Sequence, residues 1–166
     1  MLRPIRIEPG PGQESVWDYP RPPRLENVST RLQVIFNGVI IADTTKGKRV
    51  VETAGAPVYY FPPEDINMDY LTAVPKYQTL CEWKGYAVYY SIAIDGNRAE
   101  RAAWAYPKPT RDFTDLKDYI AFYPQPMDAC LVDGEKVRPQ PGGFYGGWIT
   151  NNIVGPFKGE PGTEYW

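Results

Sequence analysis

Residues 86–106 read YAVYYSIAIDGNRAERAAWAY, and this stretch contains the pattern that decides the fold. Apolar side chains occupy both alternating sets of positions from Tyr86 to Ile94. Asp95-Gly96 follows, a pair that tolerates the positive φ angles of a two-residue hairpin turn. Residues 98–106 return as the partner strand, and Trp104 and Tyr106 share one face because successive strand side chains alternate. We therefore predict a β-hairpin that is buried on both faces.

Shorter strand patterns lie on both sides of this hairpin. Asn37-Gly38 and Asp133-Gly134 are two further turn signals, and prolines with acidic residues favour a short helix near 63–70. A second short helix is predicted at 112–118. The predicted strands are residues 30–36, 39–43, 49–53, 58–61, 80–83, 119–123 and 129–132. Many short strands with closely spaced turns indicate a mostly β fold with one or two short helices.

The domain organisation follows from where prolines and glycines concentrate. Residues 1–28 contain two proline-rich stretches and are predicted to form an extended N-terminal arm, held to the domain by Trp17 and Tyr19. Residues 29–140 form the β-rich core domain. Residues 141–166 combine glycine, proline and aromatic side chains, which predicts a tail packed on this domain or on a partner subunit.

Composition excludes several functions. The 166 residues include no histidine, so Ser-His and Cys-His nucleophiles and histidine-ligated metals are excluded. Cys81 and Cys130 are the only cysteines, which leaves too few ligands for a structural zinc site. The sequence indicates no metal and no cofactor. The net charge is −2 without a basic run, which argues against nucleic acid as a partner.

The absence of an apolar run of membrane length predicts no membrane association. Residues 1–6 lack the apolar core of a signal peptide, so we expect a cytoplasmic protein.

The densest group of chemically useful side chains is Cys81, Trp83 and Lys84, within four residues. Hairpin geometry places this end of its strand near Trp104 and Tyr106. With Tyr60, these rings form either an aromatic-lined pocket or a packed aromatic core. Rings in a pocket bind planar or cationic ligands by stacking and by cation–π contact.

Two charged residues complete the predicted site. Glu52 follows the apolar strand residues Val50 and Val51 and lies close in sequence to Arg49. A carboxylate at a strand end facing a pocket serves as a base or as a ligand clamp. The predicted ligand-binding residues are therefore Arg49, Glu52, Tyr60, Cys81, Trp83, Lys84, Trp104 and Tyr106.

Several short motifs in a fixed order resemble domain-of-unknown-function family 427. They are Glu14–Pro20, Tyr59–Asp65, Cys81–Gly85, Ala103–Pro107 and Ala121–Pro124, and the tail segments Gly146–Thr150 and Gly155–Gly159 resemble its longer members. The resemblance implies a β-tent-like fold, with two antiparallel sheets meeting at an angle. The four zinc cysteines common in that fold class are absent here. The family has been labelled nucleotidyltransferase, but this sequence has neither the Gly-Ser turn nor the D-x-D pair of such enzymes.

Three functional hypotheses remain open. The first is a binding module that holds a small, partly planar ligand in an aromatic pocket between the sheets. The second is a histidine-free enzyme that uses Glu52, Lys84 or Cys81. The third is a structural protein whose aromatic arm and tail form a homodimer.

Overall fold

A computed structural model of the chain describes residues 4–166; the first three residues of the predicted arm, and part of the segment used in the signal-peptide argument, lie outside the described residues. The described chain contains fifteen strands, β1 (Glu14–Ser15), β2 (Arg24–Val28), β3 (Leu32–Phe36), β4 (Val39–Thr44), β5 (Gly47–Val51), β6 (Val58–Tyr60), β7 (Leu71–Cys81), β8 (Gly85–Ile94), β9 (Asn97–Ala105), β10 (Ile120–Phe122), β11 (Ala129–Val132), β12 (Glu135–Lys136), β13 (Arg138–Pro139), β14 (Trp148–Ile149) and β15 (Ile153–Val154). The prediction of a mostly β fold is confirmed.

The helices are all short 3-10 helices, Val16–Asp18, Pro63–Asp65, Met68–Tyr70 and Arg111–Leu116. The helix predicted near 63–70 is two separate turns, since Asn67 has extended backbone and accepts a hydrogen bond from the Asp69 amide at 3.3 Å. The helix predicted at 112–118 is the turn at Arg111–Leu116. None of the helices within residues 4–166 has the length and apolar character needed to cross a membrane.

The strands form three larger antiparallel sheets and two two-stranded ribbons. The strand orders are β10-β9-β8-β7, β12-β11-β3-β4 and β2-β5-β6. The β13-β14 ribbon is antiparallel, whereas β1 and β15 are parallel. Phe61, directly after β6, exchanges backbone hydrogen bonds of 2.8 and 2.9 Å with Ile120 of β10. These two bonds join the third sheet to the first, so the strand ends that surround the site are held together.

All three predicted turn pairs have the expected backbone. Positive φ angles occur at both residues of each pair, from 48° at Asp95 to 82° at Gly96 in the central hairpin. This conformation matches the right-handed twist of the flanking strands. The hairpin signals in the sequence therefore identified the β3-β4, β8-β9 and β11-β12 connections correctly.

Within the first sheet, β8 packs against apolar clusters on both faces, as the pattern of residues 86–94 predicted, except at Tyr86, whose ring is 58% exposed, and the edge strand β7 is largely exposed. On one face, Ile92 of β8 packs in the main apolar core with Phe122 and Trp148. On the other face, Tyr89 belongs to a second apolar cluster that includes Trp104 and Tyr106. Each fully buried large apolar side chain contributes roughly 1.5–3 kcal/mol to folding. The second cluster is the one that borders the candidate site.

The long strand β7 departs from the prediction, which placed a strand only at residues 80–83. Pro75 interrupts the pattern, because proline cannot donate to a strand ladder. The structure tolerates it because β7 is the edge strand of its sheet, and the register shifts between Ala73 and Gln78. Lys76 has a positive φ of 59° within this irregular stretch. Residues 82–84, predicted partly as strand, form the turn into β8.

Within residues 4–166, parts of the arm and of the tail pack against each other and against the core. The indole of Trp17 donates a hydrogen bond to the Pro156 carbonyl at 2.9 Å, so the arm and the tail contact each other. Within the arm, Arg24–Val28 forms β2, where irregular chain was expected. In the tail, Trp148 is fully buried and its indole donates to the Phe122 carbonyl at 3.1 Å.

Candidate functional site

A cavity of about 320 Å³ lies against the second apolar cluster, which we call the aromatic cavity. Seven of the eight predicted site residues line it, Glu52, Tyr60, Cys81, Trp83, Lys84, Trp104 and Tyr106. They come from the ends of β5, β6, β7 and β9 and from the β7-β8 turn. The hairpin argument therefore placed the rings of Trp83, Trp104 and Tyr106 around one space.

The deepest wall consists of rings that are themselves almost completely buried. Tyr60 is 1% exposed and its ring lies 6.5 Å from that of Tyr106. The Trp104 ring lies 4.5 Å from that of Tyr123. Burial raises the pKa values of the Tyr60 and Tyr106 phenols, so both hydroxyls stay neutral near pH 7. The rings thus belong to the apolar cluster on one side and line a cavity on the other.

The β7-β8 turn supplies Trp83 and Lys84, and backbone contacts fix its position. The Thr110 hydroxyl donates to the Trp83 carbonyl at 2.5 Å, and the Thr110 amide donates to the Lys84 carbonyl at 3.0 Å. Gly85 follows with a φ of 109°, and a β-carbon there would lie 3.2 Å from the Lys108 carbonyl oxygen. The turn therefore holds Trp83 and Lys84 at the cavity without a contribution from their own side chains.

The tail forms part of the cavity wall. A β-carbon at Gly146 would overlap the Trp104 ring, and one at Gly147 would overlap the Gln140 amide and the Ala56 carbonyl. Gln140 is buried; its side chain accepts from the Ala56 amide at 3.0 Å and donates to the Lys158 carbonyl at 2.9 Å. Glycine is therefore required at 146 and 147 for close packing against the core.

Five ionisable side chains line the cavity besides its phenols and thiol: Arg21, Glu52, Glu82, Lys84 and Lys158. The Arg21 guanidinium lies 3.2 Å from the Glu52 carboxylate and also donates to the Thr53 carbonyl at 3.0 Å. The Lys84 ammonium lies 5.8 Å from the Tyr106 ring centre, and that of Lys158 lies 5.6 Å from the Tyr145 ring centre. These are cation–π distances.

Arg49 does not line the cavity, so its assignment to the ligand site is not supported by its position. Its guanidinium donates to Glu26 at 2.7 Å and to both carboxylate oxygens of Glu14 at 2.9 and 3.1 Å. The Tyr19 hydroxyl donates to Glu14 at 3.1 Å. We call Arg49, Glu14, Glu26 and Tyr19 the arginine cluster. Antiparallel pairing of β2 with β5 sets Glu26 directly opposite Arg49, which explains why the Arg49 guanidinium is paired with carboxylates of the protein itself.

In the arginine cluster, the opposite charges stabilise one another in their charged forms. Hydrogen bonding from Arg49 lowers the pKa of Glu14 below its ordinary value. Burial alone would raise the pKa of Glu26, but hydrogen bonds from Arg49 and Arg24 lower it overall. Burial opposes the charge of Arg49 as well, yet its two carboxylate partners raise its pKa.

The two cysteines differ in accessibility. Cys81 is half-buried and lines the cavity, while Cys130 is 1% exposed in the main core. Burial raises the pKa of the Cys130 thiol strongly. A thiol reagent that enters the cavity should therefore react at Cys81 and leave Cys130 unmodified.

Several lining residues were not predicted from the sequence. The tail contributes Phe144, Tyr145 and Lys158, the last residue of the predicted core domain contributes Gln140, and β8 contributes Tyr89. The aromatic residues in the glycine-rich segment 142–147 were a usable signal, since such residues indicate docking. No local signal distinguishes Gln140 or Lys158, because their role depends on contacts with distant strands.

An open groove of about 370 Å³ lies beside the cavity and shares Tyr89, Tyr123 and Phe144 with it. The Arg101 guanidinium lies 4.5 Å from the Tyr77 ring centre in this groove. The Tyr123 hydroxyl donates to the Phe144 carbonyl at 2.9 Å and so ties the tail to the shared wall.

Across residues 4–166, no group of three or more acidic or cysteine side chains is arranged to hold a metal ion.

The structure is that of a mostly β protein with a buried aromatic cluster that borders a cavity. The chain belongs to the family described as a domain of unknown function (DUF427), whose model matches residues 24–133. No curated protein matches the chain. The matched region runs from β2 to β11, so the tail wall of the cavity and Arg21 lie outside it.

Proposed function

We propose that this protein is a binding module that holds a small, partly planar ligand in the aromatic cavity. The observation that carries the proposal is a space of about 320 Å³ walled by Tyr60, Trp83, Trp104 and Tyr106. This volume is within the range of about 300–1,000 Å³ that is typical of small-molecule sites. Flat rings on several sides favour a flat ligand, because aromatic rings prefer stacked or edge-to-face contact.

The cavity walls are held in place by contacts with the rest of the protein, which supports the binding proposal. The Trp104 ring is held between Gly146 and Tyr123, and the β7-β8 turn is held by Thr110. Walls that are ordered before binding lose little conformational entropy when a ligand enters, so more of the contact energy appears as affinity. The neutral phenols of Tyr60 and Tyr106 add hydrogen-bonding groups that orient the ligand.

Cysteine protection tests the proposal. The wild-type chain is incubated with iodoacetamide, alone and with a panel of adenosine, uridine, succinimide, indole and tryptophan, and Cys81 alkylation is followed by mass spectrometry. We expect at least one compound to slow alkylation of Cys81 and to raise the melting temperature. Cys130 serves as the internal control. If no panel compound changes either quantity, the binding proposal is rejected.

A pair of variants locates the binding. Trp83→Ala removes a half-buried ring of the cavity wall, whereas Tyr86→Ala removes an exposed ring, 58% accessible, that does not line the cavity. The protection of Cys81 should disappear in Trp83→Ala and persist in Tyr86→Ala. Equal protection in both variants would place the ligand elsewhere.

A histidine-free enzyme is the second candidate, favoured by the presence of Glu52, Cys81 and Lys84 around one cavity. Turnover of a bound panel compound, detected by mass spectrometry and lost in Cys81→Ser or Lys84→Met, would support it.

Homodimer formation stays a prediction, and sedimentation velocity of the wild-type chain measures it directly.

A further inference from the structure

The charge of the aromatic cavity is opposite in sign to that of the whole chain. Its five charged residues comprise three cations, Arg21, Lys84 and Lys158, and two anions, Glu52 and Glu82, a net charge of +1. The complete chain carries −2. Arg21 and Glu52 neutralise each other at 3.2 Å, and Glu82 is exposed to solvent.

The two lysines contrast with the paired arginine. In the described chain, neither the Lys84 nor the Lys158 ammonium forms an ion pair within 4.0 Å, which is true of every lysine there, whereas Arg21 is paired with Glu52. Backbone hydrogen bonds and the nearby charge of Lys158 lower the pKa of Glu164, so one exposed carboxylate does lie in the neighbourhood of Lys158. Each lysine instead lies over a tyrosine ring at the cavity. Both lysines are half-buried residues, and an ammonium beside an apolar cavity interacts more strongly with an anion there than it would in open water.

The backbone at both lysines is fixed, which makes their positions part of the cavity wall. The Lys158 amide donates to the Ala54 carbonyl at 2.8 Å, and its carbonyl accepts from Gln140 at 2.9 Å. The Lys84 carbonyl accepts from the Thr110 amide at 3.0 Å. Only the flexible stems must move for the ammonium groups to reach a bound anion.

We infer that the ligand of the aromatic cavity is a planar aromatic carboxylate, with Lys84 and Lys158 as its counter-charges; this inference rests on the proposed function. A cationic ligand fits less well, because the lysines occupy the Tyr106 and Tyr145 ring faces that would otherwise attract it. The neutral phenols of Tyr60 and Tyr106 can donate to the carboxylate without repelling it.

Lys158 and Tyr145 lie in the tail, beyond the family match that ends at residue 133. The proposed counter-charges therefore come from two parts of the chain, Lys84 from the region that the family model matches and Lys158 from the tail.

Three compounds that share an indole ring and differ in the charge of their side group test which ligand charge the cavity prefers. Indole-3-acetate, indole-3-acetamide and tryptamine are titrated into the wild-type chain by calorimetry at pH 7.5, and phenylacetate, phenylacetamide and phenethylamine form a second series. We expect the acid to bind at least tenfold more tightly than the amide, and the amine to bind most weakly. In the double variant Lys84→Met/Lys158→Met, the acid should lose this advantage while affinity for the amide is retained.

The outcomes separate the two proposals. If the acid does not bind more tightly than its amide in either series, the inference about charge is overturned. The binding proposal then still stands wherever an amide or a compound of the first panel protects Cys81. Preference for the acid that survives in the double variant would also overturn the role given to the lysines.

Discussion

The arginine cluster and the aromatic cavity both combine tyrosine with charged side chains, yet the charges have different partners in the two places. Around Arg49, two carboxylates and a guanidinium are joined at 2.7–3.1 Å, so the protein itself satisfies them. Around the cavity, the Lys84 and Lys158 ammonium groups face rings and lack a partner carboxylate within 4.0 Å in the described chain. The comparison teaches that the charges around Arg49 are satisfied within the fold, whereas the two cavity lysines have no ion-pair partner in the described chain and are the groups that we propose to face a bound anion.

The largest effect on stability is expected at the centre of the arginine cluster. Arg49→Met leaves Glu14 and Glu26 without their shared donor, and we expect the free energy of unfolding to fall by about 2–3 kcal/mol, since hydrogen bonds to charged groups are among the strongest in proteins. Urea unfolding followed by tryptophan fluorescence measures the loss.

Arg31→Met is the matched control for Arg49→Met. Arg31 also makes two hydrogen bonds to one carboxylate, at 3.0 and 2.7 Å from Asp43, but this pair is exposed. Its removal should leave the unfolding midpoint nearly unchanged, because surface ion pairs contribute little. An equal midpoint shift in both variants would contradict the distinction between the cluster and an ordinary surface pair.

Gly146→Ala should produce the next largest effect and the largest one at the cavity. The added β-carbon overlaps the Trp104 ring, so either the ring or the tail must move. Overpacking of this kind costs about 1–3 kcal/mol, and displacement of Trp104 should also change the rate of Cys81 alkylation. Gly143→Ala is the control, because no atom lies within 4 Å of a β-carbon there. Equal stability of the two variants would show that the tail does not press on Trp104.

Acid should reduce the contribution of the arginine cluster to the free energy of unfolding, by less than the substitution Arg49→Met does. The pKa values of Glu14 and Glu26 are lowered in the folded protein, so their contribution is complete above the ordinary value of 4.5 and is lost as the pH falls below it. The stability difference between wild type and Arg49→Met should therefore narrow from pH 5 toward pH 3. A difference that stays constant over this range would assign the effect of Arg49 to packing.

The smallest effect on stability is expected at the cavity lysine. Lys84→Met removes a charge without an ion-pair partner in the described chain and keeps much of the apolar stem, so the free energy of unfolding should change by less than about 0.5 kcal/mol. Thermal unfolding without indole-3-acetate measures the change in stability, and thermal unfolding with it measures the change in stabilisation by the ligand. A large loss of stability without ligand would mean that Lys84 supports the fold, as Arg49 does.

Local sequence patterns determined the three hairpin turns, the faces of the central strands and the residue types that the protein lacks, but not the full length of β7 or the strand β2. Asn37-Gly38, Asp95-Gly96 and Asp133-Gly134 specify their turns through residues that accept positive φ, and alternation specifies which side chains share a face. For the same reason the sequence assigns Trp104, near the end of β9, and Tyr106, directly after it, to one face of the sheet, and both belong to the second apolar cluster. The lack of histidine excluded whole classes of catalysis by composition alone.

Tertiary structure decided which charges are paired inside the protein and which face the cavity. Glu26 and Glu14 are 23 and 35 residues from Arg49, and they reach it only because β2 pairs with β5 and the arm packs alongside. Lys158 reaches the cavity because Gln140 and Ala54 fix the tail by hydrogen bonds. Turn and face preferences are set by neighbouring residues, whereas the partner of a charge depends on how distant strands pack, which no local pattern encodes.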